Sequence, residues 1–206
     1  MEENKNPRLL ISFVLDNGCT VDAERLQALQ TAFADFAAAN ANADMEWELI
    51  SFGGFEPTVI KSFEGSALTA IAPNRFPLLG RTTMTAVDRL TARVAELKAA
   101  GGKVHRPWLF MLSDGFTVDS MEEVTARLEG MERSGELLYL PFKTSPKLST
   151  DRLQYLDRSK HMIEIKPGKL TDFFAFVTRM IEQRATLAPE TGIKFAKSDF
   201  EGWAEL

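Results

Sequence analysis

Apolar residues cluster along this chain in two rhythms, continuous runs and helical spacings, and the two alternate. Leu9 to Leu15 is apolar except for Ser12, the pattern of a strand covered on both faces, as in parallel sheets. After a break at Gly18, Leu26, Leu29, Phe33 and Phe36 recur at three- and four-residue intervals and predict a helix over about 22–39. Residues 46–52 and 58–63 are strand-like and flank Gly53-Gly54-Phe55-Glu56-Pro57. Gly-Gly supplies a turn and Pro57 suits an edge, so this pair predicts an antiparallel hairpin. Residues 65–79 contain Pro73, Asn74 and Pro77 and no period, which predicts a long loop. Val87, Leu90, Val94 and Leu97 then mark a second helix, from near Thr82 to Gly101-Gly102.

Trp108 to Leu112 is the second continuous run and ends in Ser113-Asp114-Gly115. Ser120-Met121-Glu122-Glu123 has the form of a capping box before helically spaced Met121, Val124, Leu128 and Met131. Further elements are predicted at 136–142 (strand), 150–158 (helix), 161–165 (strand) and 170–183 (helix). A polar tail, 188–206, carries Phe195, Phe200 and Trp203. This order predicts an α/β chain with a Rossmann-like, doubly wound, mostly parallel sheet and one antiparallel edge strand. Residues 1–187 form the expected domain and 188–206 its tail. Ligands in such sheets bind beyond the carboxyl ends of the strands, which directs attention to the ends of the first strand and the Trp108 strand.

Composition narrows the function. At 206 residues, with 45% hydrophobic and 26% charged side chains, the chain suits one globular domain. A net charge of -5 offers no footprint for nucleic acid, whose binding depends on Lys and Arg neutralising phosphates. One cysteine, Cys19, and two histidines, His105 and His161, exclude an intrachain disulfide and a Cys/His zinc cluster. The cytoplasm is the expected compartment. The 9–15 run is too short to span a bilayer, so no membrane partner is expected.

Both continuous strands end in an aspartate, Asp16 before Asn17-Gly18-Cys19-Thr20 and Asp114 before Gly115-Phe116-Thr117. One such Asp is an ordinary cap or turn residue. Two from neighbouring strand ends, with the hydroxyls of Thr20 and Thr82, make an oxygen-rich set suited to a hard cation such as Mg²⁺ or Mn²⁺. An alternative with the same Asp16 is a Mg²⁺-dependent phosphatase of the haloacid dehalogenase type. That chemistry needs a second acid two residues after the nucleophile, where this chain has Gly18. Neither histidine stands near a nucleophile motif, and no Gly pair carries the phosphate-loop pattern.

Asp16-Asn17-Gly18-Cys19-Thr20, Gly80-Arg81-Thr82-Thr83-Met84 and the 106–115 strand ending Ser113-Asp114-Gly115 resemble, in order and spacing, the metal-ion-dependent adhesion site of von Willebrand factor type A (vWA) domains. Ser51-Phe52-Gly53-Gly54 adds a likeness to the TerY-like tellurium-resistance proteins among them. The resemblance implies a vWA fold and a non-enzymatic interaction module. It further implies a cation held by Asp16, Thr20, Thr82 and Asp114, whose open position takes a carboxylate from a partner protein. A kinase or phosphatase of a bacterial metal-stress system is the partner it suggests. Gly18 replaces the family's first loop Ser, so cation binding is expected to be weak. Partner contacts are expected at Asn17, Gly18, Thr83 and Phe116.

Overall fold

The computed structural model describes residues 6–18, 21, 23–41, 44–52, 55–65, 67–72, 76–144, 163–188, 191–193 and 195–205. Thr20, the Gly53-Gly54 turn, His161 and the helix expected over 150–158 lie outside the described residues. The first strand, β1 (Leu9–Asp16), is followed by α1 (Ala23–Ala39) and then by β2 (Met45–Phe52) and β3 (Thr58–Lys61). Next come α2 (Leu79–Ala99), β4 (Trp108–Ser113), α3 (Glu122–Arg133) and β5 (Leu138–Lys143). The chain closes with β6 (Ile163–Ile165), α4 (Leu170–Ala185), a short 3₁₀ turn at Lys197–Phe200 and β7 (Ala204–Glu205).

The strands form one sheet in the order β3-β2-β1-β4-β5-β6-β7. The four pairings from β2 through β6 are parallel, and β3 and β7 close the two edges antiparallel. The two continuous runs, β1 and β4, are neighbours in the middle, and every residue of both is buried. Alternate residues feed two cores. Ile11, Phe13, Trp47, Phe110 and Phe142 face α1 and α4, while Leu10, Val14, Ile50, Leu109 and Met111 face α2 and α3. The first core is aromatic: the Phe13 ring lies 5.2–6.1 Å from those of Phe33, Phe36, Trp47, Phe110 and Phe174. In the second, β2 is tied to α2 through charge. Buried Glu48 accepts from Ser12 Oγ (2.8 Å) and Arg89 Nε (2.8 Å), and Glu46 takes a two-pronged contact from Arg93 (2.7 and 3.0 Å).

Three features differ from the sequence reading. A second antiparallel edge, β7, joins the sheet, because the tail returns to it and buries Phe200 and Trp203 against Phe176, with Trp203 also against Phe142 and Phe173. Isolated aromatics in a polar stretch carry no period to announce this. Helix α2 begins one turn early, at Leu79 rather than near Thr82; its cap comes from a distant loop, described below. The Ser120 capping box is replaced by a single contact, in which Ser120 Oγ accepts from the Glu122 amide at 3.3 Å.

Candidate functional site

The pairing of β1 with β4 sets the site. Leu15 lies opposite Leu112, so Asp16 stands level with Ser113, and Asp114 is the next residue along. Asp16 is only 2% exposed. Its Oδ1 accepts from the Gly18 amide at 2.8 Å, and its Oδ2 lies 3.4 Å from both Ser113 Oγ and the Asp114 amide. Burial, and then the charge of Asp114, push the Asp16 carboxyl up to about 7 from the usual 3.8. Asp114 is also buried; its Oδ1 accepts from the Phe116 amide at 2.9 Å, while Gly115 takes a positive φ of 87°. That turn directs the chain away from the sheet and leaves the two carboxyls facing one another.

The third element is the start of α2. Its exposed amides are capped by side chains of the β4–α3 loop: Leu79 N donates to Thr117 Oγ (3.1 Å), and Gly80 N and Arg81 N donate to Asp119 (3.1 and 2.8 Å). A charged cap on a helix amino end is favoured both by hydrogen bonding and by the helix dipole. Close approach here depends on Gly80, whose Cβ, if present, would sit 2.3 Å from the Ser120 carbonyl oxygen. Thr82 and Thr83 follow at the start of the helix, fully buried, and neither hydroxyl has a hydrogen-bond partner among the described residues. Asn17 is buried too; its Nδ2 donates to Ala72 O at 2.6 Å, while its Oδ1 has no partner among the described residues.

The sequence-predicted residues therefore divide. Asp16 and Asp114 are brought together, and Thr82 is carried to the same end of the sheet by the Thr117–Asp119 clamp. Asn17, Gly18 and Thr83, expected as partner contacts, are buried in the free chain: Asn17 turns inward to Ala72, a Cβ at Gly18 would meet Pro77 at 3.7 Å, and Thr83 is fully enclosed. Phe116 is half-buried. Sequence reasoning missed Asp119 and Thr117 as caps, because their partners lie about forty residues away. It also missed two exposed rings, Phe55 and Phe76, at 78% and 46% exposure. Phe55 interrupted a Gly-Pro turn and Phe76 stood between two prolines' worth of loop, where a polar residue would be ordinary; that was the available signal.

The donor set suits a hard cation in chemistry: two carboxylates and a buried hydroxyl in need of a partner, all oxygen. Among the described residues no three His, Cys, Asp or Glu side chains gather as a metal cluster, so hydroxyls and water would complete any shell. Gly18 makes room for this arrangement, since a Cβ there would lie 3.0 Å from Asp16 Oδ1. The phosphatase alternative finds no support: Gly18 stands where its general acid would be, and Asp119 is engaged as a helix cap.

No protein-family model and no curated protein matches the sequence. Solved structures do. The VWA domain of SpRpn10 superposes with a TM-score of 0.52 at 16% identity, covering 93% of this chain and 100% of that one. Proximal thread matrix protein 1 from the mussel byssus matches with a TM-score of 0.53 at 13% identity, over 87% of this chain and 46% of that protein, so this chain spans less than half of its length. A second crystal form of the byssus protein gives 0.52 at 12% identity. With the strand order above, these likenesses show that the chain has the vWA fold. No helix among the described residues is long and apolar enough to cross a membrane.

Proposed function

We propose that the chain is a non-catalytic protein-interaction module that engages its partner at the carboxyl ends of the strands, around a weak Mg²⁺ or Mn²⁺ site. Asp16, Asp114 and Thr82 are the ligands, with Thr20, four residues after Asp16 in the sequence. The observation that carries the reading is a pair of facing buried carboxyls on the same end of the sheet as a buried Thr82 hydroxyl that has no partner among the described residues. Buried polar atoms are almost always satisfied, and an orphan at such a place calls for an ion or a water. When bound, the cation supplies an open coordination position to a partner carboxylate; the chain's own residues hold that position rigid, since both aspartates sit at the ends of fully buried strands. The motif order resembling TerY-like proteins extends the proposal to a cytoplasmic tellurium-resistance or metal-stress system, with a kinase or phosphatase as partner.

Titration calorimetry with MgCl₂ and MnCl₂ tests the site. Wild type should give weak, saturable heats that vanish in Asp114→Ala and fall in Thr82→Val, with each variant's melting temperature measured alongside. Absence of heat in wild type, or equal heats in all three proteins, would overturn it.

A further inference from the structure

We infer that Asp119, through the clamp it forms with Thr117, is a positioning residue for the cation site: it fixes the Thr82 hydroxyl relative to Asp114 without itself being a ligand. The inference rests on the reading of Asp16, Thr82 and Asp114 as a cation site. Helical spacing alone starts α2 near Thr82, yet the helix begins at Leu79. The turn that carries Thr82 is not held by its own sequence, because Leu78, at the cap position, makes no side-chain cap and the first amides of a helix need acceptors from elsewhere. Thr117 Oγ accepts from Leu79 N, and Asp119 accepts from Gly80 N and Arg81 N. The next amide, Thr82 N, donates to the Leu78 carbonyl at 3.0 Å, so Thr82 takes its place only once the residues before it are wound.

The acceptors belong to the loop that begins at Asp114. That loop is anchored at its root by Phe116 N donating to Asp114 Oδ1 (2.9 Å), and further on by Val118 N donating to the Pro77 carbonyl (3.1 Å) and by the Thr117 hydroxyl bonded to Asp119. Gly80 lets the two backbones close up, since a Cβ there would stand 2.3 Å from the Ser120 carbonyl oxygen. A third segment is attached at the same point. Arg81 reaches the Phe55 carbonyl (3.1 Å) and Glu56 (2.7 Å), and the Phe55 ring rests on Phe76 with centroids 5.2 Å apart. Asp114 thus lies at the root of the loop whose far end winds the helix turn carrying Thr82. Loss of the clamp lets residues 79–82 unwind towards the start that periodicity predicts, and the buried hydroxyl then has no fixed place. Removing an outer-shell group of this kind commonly lowers metal affinity by about tenfold or more.

The test titrates MnCl₂ into wild type, Asp119→Ala, Asp119→Asn, Gly80→Ala, Thr82→Val and the double variant Thr82→Val/Asp119→Ala. Free Mn²⁺ is read by electron paramagnetic resonance, well below every melting temperature. Asp119→Ala should bind about tenfold more weakly, and no more weakly than Thr82→Val, because it acts through that hydroxyl. Asn caps a helix as well as Asp does, so Asp119→Asn should recover most of the affinity although it removes the charge. Gly80→Ala keeps Asp119 but forces the two backbones apart, and should weaken binding too. In the Thr82→Val background, Asp119→Ala should add less than about twofold, which a general electrostatic or unfolding effect would not reproduce. A loss in Asp119→Asn as large as in Asp119→Ala, or an undiminished loss in the Thr82→Val background, would overturn the inference. Should Asp119→Ala fail to fold, Gly80→Ala carries the comparison, and unchanged affinity there is the refuting result. Wild-type binding that survives Asp119→Ala sinks this inference alone, whereas absence of binding in wild type sinks the cation site and this inference with it.

Discussion

Asp16 gives the most quantitative prediction. Its carboxyl is raised from 3.8 to about 7, first by burial and then by Asp114, so the folded state disfavours its charge. The associated stability is fully present below about pH 3.8 and is lost as pH rises through the window up to about 7. Each pH unit in that window costs roughly 1.4 kcal/mol, and the whole shift corresponds to roughly 4 kcal/mol. Asp16→Asn keeps an oxygen for the Gly18 amide and removes the titration, at the cost of the long 3.4 Å contacts that Oδ2 accepts from Ser113 Oγ and the Asp114 amide. In metal-free buffer with EDTA the variant should therefore melt above wild type at pH 8, by roughly 10 °C for a domain of this size. The gap should shrink steadily towards pH 5. Buried Glu48 also has a raised carboxyl, and His105 is lowered by burial and then by Arg184, but both are common to the two proteins and cancel. Circular-dichroism melts at pH 5, 6, 7 and 8 provide the assay. A gap independent of pH, or a wild type that is the more stable protein at pH 8, would refute the reasoning. Millimolar Mg²⁺ should then raise the melting temperature of wild type at pH 8 and leave Asp16→Asn unmoved.

Asp119→Ala removes the acceptor of the Gly80 and Arg81 amides and should cost about 2 kcal/mol, with faster amide exchange confined to the first turn of α2; unchanged exchange there would contradict the cap. Gly18→Ser supplies a hydroxyl beside Asp16 but sets a Cβ 3.0 Å from Asp16 Oδ1. It should bind Mg²⁺ more tightly by calorimetry and melt lower without metal, and weaker binding would count against Gly18 as a lost ligand. Trp203→Ala should cost about 3–5 kcal/mol in urea unfolding, because the indole fills the core against Phe142, Phe173 and Phe176. A loss below about 1 kcal/mol would mean that the carboxyl-terminal segment is not part of the cooperative unit.

The parts of this protein legible in its sequence are those governed by local pattern. The continuous runs of β1 and β4 announced central strands because burial on both faces leaves no polar alternation. Asp16 at the end of β1 and Asp114 just past the end of β4 were legible as a pair because a strand end is a fixed place in this kind of sheet. Period likewise revealed α1 and α4 to within two residues at each end. What needed the tertiary structure depends on residues that meet from far apart. Asp119 starts α2 a turn early from about forty residues away, and Trp203 finds its place only once β6 offers an edge for β7. The inward turn of Asn17, the burial of Thr83 and the meeting of Phe55 with Phe76 are likewise products of loop packing. No spacing rule encodes such contacts, since each is set by the geometry of the folded chain and not by the residues beside it.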